Sequence, residues 1–581
     1  MKKLIYKLGF SPFWELVLIA IITVPAFFRL LNNGYFYMHD DQQVARLYLL
    51  DQGIRQGSLF PRWVDTMGFG YGYPLFNFYP PLIYYIGFIF HLIGFSYINS
   101  IKLVFISGFL LAAFGAYLFG KKIGTRLTGL ITSVLYSYFF YHAVTGYVRG
   151  ALAEFFSMAI LPFLFLALSA LEKKTDLKNI LFLSGVTAVL ILTHPLIALP
   201  AMIFIGSWGI FSFFRVKNRL RYVTAYFSGL ILGAMLSAFF AIPSLLEKKF
   251  TLVDKILTTE LANYKIHFIC PAQFWYSPWG YGGSIAGCQD GITFQLGKMH
   301  LLFAGLAIFG FLILVIKRRF RSKESGLFVF SLVLLLFSLF MTTDYSLFVW
   351  TLVSPLAFLQ FPWRFLAFIS FFISVVGGYA VYYIQRIFKS PIISVIFIVM
   401  LIFTVFKYQT YFRPNGVRKV EDSTLISFQD IAWRISNSSF EFIPSGVATK
   451  KSTVGTTVVD ISQKDLPKQQ FQLVKGQANI KVLGENKFNK KSFQVAAQTP
   501  TVIMVNTYLF PGWTATIDGS PLIISANNKF HLMTVTVPTG DHTINFRFQN
   551  TFVRTIANYI SILGLVVFAV LSFMEFKKKK S

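Results

Sequence analysis

Long apolar runs recur from one end of the chain to the other. A helix needs about 20 mainly apolar residues to cross roughly 30 Å of hydrocarbon. On that criterion the pattern predicts twelve membrane crossings, at approximately 13–31, 103–120, 127–141, 152–171, 179–193, 196–214, 222–243, 300–316, 326–341, 365–384, 392–407 and 554–575. The first run lacks a small-residue cleavage site, so we expect an uncleaved anchor rather than a signal peptide.

Two further stretches, Tyr79 to Phe95 and Tyr345 to Phe361, are aromatic and apolar enough to be considered as crossings. If only one of them crossed, every loop after it would change sides and several basic clusters would face outward. We therefore expect both stretches to lie on, or re-enter, the outer leaflet. The prolines at 80, 81 and 362 fit segments that break at the membrane surface.

Basic residues collect in short clusters between the apolar runs. The clusters lie at 2–7, 121–126, 173–178, 215–221, 317–323, 386–389 and 577–580. This spacing is typical of loops retained in the cytoplasm, so both termini are expected to be cytoplasmic. The formal charge of +29 is spread over these loops, which argues against nucleic acid as a partner. With 55% hydrophobic and 13% charged residues, the composition excludes an ordinary soluble domain.

The predicted topology places four regions outside: 32–100, the short loop 142–150, the long loop 244–299 and the segment 408–553. The last turns polar, and His531 to Val537 and Thr543 to Phe548 alternate as half-buried strands do. Asp518-Gly519 supplies turn chemistry. We expect an α-helical polytopic membrane module over 1–407, an extracytoplasmic β-sandwich over 408–553, and a final membrane helix with a basic tail over 554–581.

Both cysteines of the chain, Cys270 and Cys288, fall in the outward loop 244–299. An oxidising compartment permits a disulfide between them, and two free thiols are the alternative.

Acidic residues directly follow the predicted anchor, in the sequence His39-Asp40-Asp41. Apolar residues at helical spacing come next, so one of the two aspartates has a simple alternative role as the cap of that helix. Two adjacent carboxylates exceed what a cap requires. At a membrane surface they would serve as a general base or hold a divalent cation.

Further polar groups fall at the outer ends of other predicted helices. Arg149 is either a snorkelling interfacial residue or a phosphate ligand, and Glu154 follows one turn later. His194 occupies a tight outer turn and is either a structural hydrogen bonder or part of a site. Arg364 begins a helix, where a cation opposes the helix dipole, so its position favours an anionic partner. Because these polar groups all fall on the same predicted side of the membrane, together they suit a lipid whose head group carries phosphate.

The chain resembles the GT-C superfamily of membrane glycosyltransferases and, within it, the YfhO-like bacterial membrane proteins. The resemblance rests on Asp40-Asp41 after an anchor helix, Gly68 to Pro74, Tyr79-Pro80-Pro81, Arg149 with Glu154, Thr193-His194-Pro195, Trp279 to Gly282, Phe361 to Arg364, Phe510 to Trp513 and Asp518-Gly519. These short motifs extend over nearly the whole chain.

The resemblance implies transfer of a sugar from a polyprenyl-phosphate donor to a glycan or lipid acceptor of the cell envelope. Asp40 or Asp41 would deprotonate the acceptor hydroxyl, and Arg149, Arg364 and His194 would bind the donor phosphate. Glu154 and His39 are candidates for metal or acceptor binding. The cofactor stays open between none and a magnesium or manganese ion held by Asp40 or Asp41 with Glu154.

Two other functions are compatible with the same pattern. A lipid or sugar transporter also fits twelve helices with both ends inside, although transporters place their polar groups near the membrane midplane. A non-catalytic scaffold for envelope assembly would keep the fold and dispense with the acids.

Overall fold

The computed structural model describes residues 12–257, 262–318, 322–453, 455–484 and 487–580. Its helices are α1 (Pro12–Phe27), α2 (Gln43–Arg55), α3 (Leu75–Phe78), α4 (Leu82–Leu92), α5 (Tyr97–Ile123), α6 (Arg126–Ser137), α7 (Phe140–Ala143), α8 (Leu152–Lys173), α9 (Leu177–Thr193), α10 (Pro195–Phe213), α11 (Arg219–Leu246), α12 (Val253–Leu257), α13 (Pro271–Trp275), α14 (Lys298–Ile316), α15 (Ser322–Thr342), α16 (Leu347–Leu352), α17 (Leu366–Phe388), α18 (Pro391–Tyr408), α19 (Asp422–Leu425), α20 (Ser436–Ser438) and α21 (Phe552–Lys580).

Ten helices of the described chain are long and apolar enough to cross a membrane. Two of the twelve predicted crossings are shorter than expected, because α6 has 12 residues and α9 has 17. After α6 the chain continues as the short α7 and a π-helical turn over Val144–Val148 instead of one uninterrupted helix. The number of crossings therefore stays a prediction.

The two aromatic stretches form short elements. Helix α4 has 11 residues, which corresponds to a rise of about 17 Å. The other stretch consists of the six-residue α16 and 3₁₀ turns. Both are too short to cross roughly 30 Å of hydrocarbon as single helices, and their location at the outer leaflet stays a prediction.

Helices α17 and α8 form the centre of the bundle. The apolar span that contains α17 is 94% buried and that of α8 is 83% buried, whereas the spans of α18 and α21 are 22% and 17% buried. The peripheral helices expose large apolar side chains, such as Phe403 and Leu565. A soluble protein would not expose this much apolar surface, but lipid covers it. Two residues of the polar site described below lie at the starts of these helices: Glu154 in the first turn of α8 and Arg364 in the 3₁₀ turn that precedes α17.

Most strands of the described chain lie between α18 and α21. The strands are β1 (Tyr35–Phe36), β2 (Val417–Arg418), β3 (Thr449–Lys451), β4 (Thr457–Val459), β5 (Phe471–Lys475), β6 (Ala478–Val482), β7 (Lys490–Ala497), β8 (Thr501–Tyr508), β9 (Trp513–Ile517), β10 (Ser520–Leu522), β11 (Leu532–Val537) and β12 (Gly540–Phe548). One antiparallel sheet has the order β10-β9-β12-β7-β6 and a second has the order β11-β8-β5. The sheets touch through Phe471 and Phe493, with ring centroids 5.3 Å apart.

The alternating segments predicted near the end of the chain are strands β11 and β12, and they belong to different sheets. The chain passes from one sheet to the other at Gly540, which has φ +127°. The Asp518-Gly519 turn joins β9 to β10 with both residues at positive φ, the geometry expected of a tight hairpin. The expected sandwich arrangement of the two sheets stays a prediction.

Candidate functional site

The segments predicted to form the first and second outer loops run side by side. The backbone N–H groups of His39 and Asp40 donate to the carbonyl oxygens of Val148 and Arg149, at 3.1 and 2.8 Å. The Gln43 amide donates to the carbonyl oxygens of Asp40 (3.1 Å) and Gly150 (2.9 Å). These four bonds hold Asp40 close to Arg149, with which it interacts electrostatically.

Glu154 lies in the first turn of α8 and is almost fully buried, with 1% of its surface exposed. Its carboxylate accepts hydrogen bonds from Arg149 Nη1 at 2.7 Å, from Arg364 Nε at 3.2 Å and from the Tyr141 hydroxyl. The anionic partner expected for Arg364 is therefore Glu154. A buried carboxylate needs such partners because an unpaired charge is costly in an apolar interior.

The two arginines are held by further contacts. Arg364 Nη1 donates to the Leu359 carbonyl and to Gln360 Oε1. Arg149 lies over the Trp363 ring, with 4.7 Å between its guanidinium carbon and the ring centroid. Arg149 is 9% exposed, which does not match a snorkelling side chain that reaches into water.

This cluster of Arg149, Glu154 and Arg364 carries one excess positive charge. Within the described part of the chain, its hydrogen bonds leave Arg149 Nε and Nη2 and Arg364 Nη2 without an acceptor. The Trp363 indole N–H is buried and also lacks a partner among those residues. Excess positive charge and open N–H donors are what a phosphate group requires.

His194 links α9 and α10 and interacts electrostatically with Glu154, Arg149 and Arg364. Its Nδ1 atom is buried without a hydrogen-bond partner in the described chain. Burial and, to a smaller extent, the two arginines lower the pKa of His194 to about 3, although Glu154 opposes this shift. The imidazole is therefore neutral near pH 7 and would contact a ligand through a hydrogen bond rather than through charge.

The two adjacent aspartates have different surroundings in the structure. Asp41 Oδ2 accepts from Arg418 and from Arg434, the latter at 2.8 Å. Burial raises the pKa of Asp41, although both arginines pull it down. The capping interpretation is wrong for both aspartates, because α2 begins after Gln42 and has no side-chain cap. Neither carboxylate is used as a helix cap.

The Asp40 carboxylate differs from that of Asp41. It is partly exposed and has no hydrogen bond or ion pair with any residue that the structure describes. Asp40 is therefore the carboxylate that is open to a ligand.

His39 lies on the exposed side of this loop. Its Nε2–H donates to the Tyr281 carbonyl at 2.9 Å, and the Tyr281 hydroxyl donates to the Arg413 carbonyl at 3.0 Å. Tyr281 belongs to the segment closed by a disulfide bond between Cys270 and Cys288, whose Cα atoms are 5.6 Å apart. The long outer loop thus covers the site from the side of His39.

Several residues of the site carry no local sequence signal. Arg46 on α2 is 3% exposed, and it donates to Ser439 at 3.0 Å. Glu441 lies close to both Arg46 and Asp40. These residues, and Arg418 and Arg434, come from segments several hundred positions apart. The β1–β2 pairing, which joins Tyr35–Phe36 to Val417–Arg418, and the hydrogen bond from Gln42 to Ser438 are among the contacts that bring the two segments together.

The donor set does not fit a divalent cation shared by Glu154 and the first-loop acids. Glu154 is already held by two arginines and a tyrosine. Among the described residues, no group of three or more His, Cys, Asp or Glu side chains could hold a metal ion. No step is therefore assigned to a metal.

A bundle of membrane-length helices with an acid and arginine site at one end defines a multi-pass membrane protein. Residues 76–414, more than half of the chain, match the family described as the 6-pyruvoyl-tetrahydropterin synthase related domain, a membrane protein. The chain belongs to this family. The matched region includes Arg149, Glu154, His194 and Arg364 and begins after Asp40.

Two solved structures of the arabinofuranosyltransferase AftD from Mycobacteria are similar to this chain. A mutant form gives a TM-score of 0.46 at 14% identity, and a second structure gives 0.45 at 13%. Each match covers 71% of this chain. The chain spans less than a third of the length of AftD, 29% and 28% in the two structures. No curated protein matches the sequence.

Proposed function

We propose that this protein is a membrane glycosyltransferase of the GT-C type. It would move a sugar from a polyprenyl-phosphate donor to a glycan or lipid acceptor on the extracytoplasmic face, with both termini in the cytoplasm. The observation that carries the proposal is the open Asp40 carboxylate beside a buried arginine pair that has excess positive charge and open donors.

The reaction needs a base and a phosphate-binding group close to each other. Asp40 accepts the proton of the acceptor hydroxyl. At the same time the oxygen of that hydroxyl forms a bond to the anomeric carbon of the donor sugar. The bond from that carbon to the phosphate oxygen breaks, and the electron pair stays on the phosphate. Arg149 and Arg364 stabilise the charge that develops there, and neutral His194 supplies one hydrogen bond.

Asp41 takes a different part in this proposal. Because Arg418 and Arg434 already bind its carboxylate, Asp41 positions the loop that carries Asp40. Glu154 likewise positions Arg149 and Arg364 and does not act as a base, since three donors occupy its oxygens.

The test compares Asp40→Asn with Asp41→Asn in protein purified into lipid. Release of polyprenyl phosphate from a panel of radiolabelled polyprenyl-phosphate sugars is followed. We expect Asp40→Asn to lower the release rate about 10²- to 10⁴-fold, which is the usual contribution of a general base. Asp41→Asn keeps the greater part of the rate per folded molecule. We expect a chelator to leave the rate unchanged, because no group of three or more His, Cys, Asp or Glu side chains in the described part of the chain could hold a metal ion.

Each alternative function gives a different result. Loss of release in Asp41→Asn but not in Asp40→Asn would contradict the choice of base. No release with any donor, together with movement of the lipid-linked sugar across vesicles, would favour a transporter. Full envelope function in cells that carry only Asp40→Asn would favour a scaffold.

A further inference from the structure

A second polar cluster lies next to Asp40, and the proposed reaction does not use it. Its centre is Arg46, whose guanidinium carbon lies 3.7 Å from the centroid of the Tyr79 ring. Arg46 Nη2 donates to Ser439 Oγ at 3.0 Å. The Nε atom of Arg46 is buried and has no hydrogen-bond partner in the described chain. A buried guanidinium N–H without an acceptor is unusual, because its desolvation is not compensated.

Glu441 completes this cluster. Ser439 Oγ donates to the Glu441 carboxylate, with oxygen distances of 3.1 and 3.3 Å, so Ser439 joins Arg46 to Glu441. Within the described residues Arg46 and Glu441 form no direct ion pair. Burial raises the pKa of Glu441, and the charge of Asp40 raises it further while Arg46 lowers it. The cluster therefore keeps both donor and acceptor capacity unused.

The charge of the cluster distinguishes it from the arginine pair around Glu154. The charges of Arg46 and Glu441 cancel, and the neighbouring Asp40 is an acid, so the cluster has no excess positive charge with which to attract a phosphate. Neutral hydroxyl groups suit such a site, because a hydroxyl donates to a carboxylate and accepts from a guanidinium. The phosphate of the donor therefore suits the side of Asp40 on which the arginine pair lies. A neutral polyhydroxyl group suits the side on which Arg46 and Glu441 lie.

We propose that Arg46, Ser439 and Glu441 form a subsite that binds the hydroxyl groups of an acceptor sugar next to Asp40. The inference rests on the proposed glycosyl transfer and adds the class of acceptor. It also gives the segment after α18 a direct part in substrate binding, because Ser439 and Glu441 both come from that segment.

The first experiment measures the acceptor dependence of polyprenyl phosphate release by the full-length protein in lipid. The variants are Glu441→Gln and Ser439→Ala, and the acceptors are methyl glycosides of hexoses, N-acetylhexosamines and pentofuranoses. We expect Glu441→Gln to raise the KM for the glycoside about tenfold, the size of one lost charge-assisted hydrogen bond. A purely structural role would instead lower kcat and the thermal midpoint together and leave the KM unchanged.

Glu421→Gln is the matched control, because Glu421 is an exposed acid of the same segment outside the cluster. It should leave the KM unchanged. Equal KM values in wild type and Glu441→Gln would overturn the subsite while leaving glycosyl transfer intact.

A second measurement keeps the two proposals distinguishable. Absence of release with every donor contradicts glycosyl transfer, and binding of the same methyl glycosides is then measured directly by ligand-observed NMR on the purified protein. Binding that Glu441→Gln weakens about tenfold supports the subsite on its own. No binding to any glycoside, or equal binding by both proteins, overturns it.

Discussion

Asp41 connects the first outer loop to the segment after α18. Its Oδ2 atom receives two arginines, and its side chain is 17% exposed, against 23% for Arg418 and 39% for Arg434. Because the two arginines are partly exposed, solvent screens part of their attraction to the Asp41 carboxylate. These contacts therefore act mainly as a local clamp between the two segments. Their loss should lower the free energy of unfolding.

We expect Asp41→Asn to lower the free energy of unfolding by about 1–2 kcal/mol, the value of a charge-assisted hydrogen bond after allowance for solvent. A double-mutant cycle with Arg418→Ala, followed by thermal unfolding, measures the coupling between the two side chains. Asp460→Asn is the control, since Asp460 pairs only with exposed lysines among the described residues. Strict additivity of Asp41→Asn and Arg418→Ala would contradict the clamp.

The neutral state of His194 makes stability depend on pH. Its pKa is about 3 in the folded protein, below the ordinary value of 6.5, so the folded protein binds fewer protons than the unfolded chain between these values. The stability that depends on neutral His194 is complete above pH 6.5 and is lost as the pH falls toward 3. We expect the wild type to lose more stability than His194→Gln between pH 7 and pH 5.

The measurement is the thermal midpoint of both proteins at the two pH values. Other titrating groups contribute equally to both proteins, so the difference between them isolates His194. Parallel shifts in wild type and variant would show that His194 does not titrate as the structure indicates.

At the scale of elements, the turn that precedes α8 decides where Asp40 lies. Gly150 has φ +61°, and a Cβ atom placed there would come 2.2 Å from Met38 Sδ. Only glycine combines this backbone conformation with such a close approach. The turn therefore fixes the distance between the two outer loops.

Gly150→Ala should both destabilise the protein by about 1–3 kcal/mol and reduce release of polyprenyl phosphate, because it pushes Met38 and the neighbouring Asp40 away. Gly57→Ala is the matched control, since Gly57 has φ +94° but open space around it. It should lower stability and leave turnover per folded molecule unchanged. Recovery of turnover in Gly150→Ala with Met38→Ala would confirm the steric cause, and equal turnover in the two glycine variants would contradict it.

At the scale of the whole molecule, the last helix is tied to the outer regions by a buried network. Arg554 of α21 is 0% exposed, and its Nε donates to Glu247 Oε2 at 2.8 Å. Glu247 also accepts from Asn77 at 2.8 Å and from Thr551 at 2.6 Å. The network joins α21, the end of α11 and the first outer loop in one place.

Glu247→Ala should lower the free energy of unfolding by about 3–5 kcal/mol, because it leaves a buried guanidinium without its counter-charge. Asp254→Asn is the control. Asp254 forms an ion pair with Lys248, but its side chain is 50% exposed, so the expected change is within about 1 kcal/mol. The comparison uses thermal unfolding in lipid, and equal midpoints for the two variants would show that α21 is held mainly by apolar packing.

Local patterns predict much of this molecule. Runs of apolar residues depend only on the neighbouring sequence, so they identify a multi-pass membrane protein directly. Alternation of apolar and polar residues likewise predicts β11 and β12. The prediction that Arg364 needs an anionic partner also follows from its position alone, since a cation at a helix start opposes the helix dipole.

The sequence by itself thus determined the class of the protein and named candidate side chains for its chemistry. Only the tertiary structure decided their roles, because these depend on contacts between residues far apart in the chain. Glu154 meets Arg364 across 210 positions, and Asp41 meets Arg418 across 377. Such contacts leave no local periodicity in the sequence. They bind the carboxylate of Asp41 and leave that of Asp40 open to a ligand.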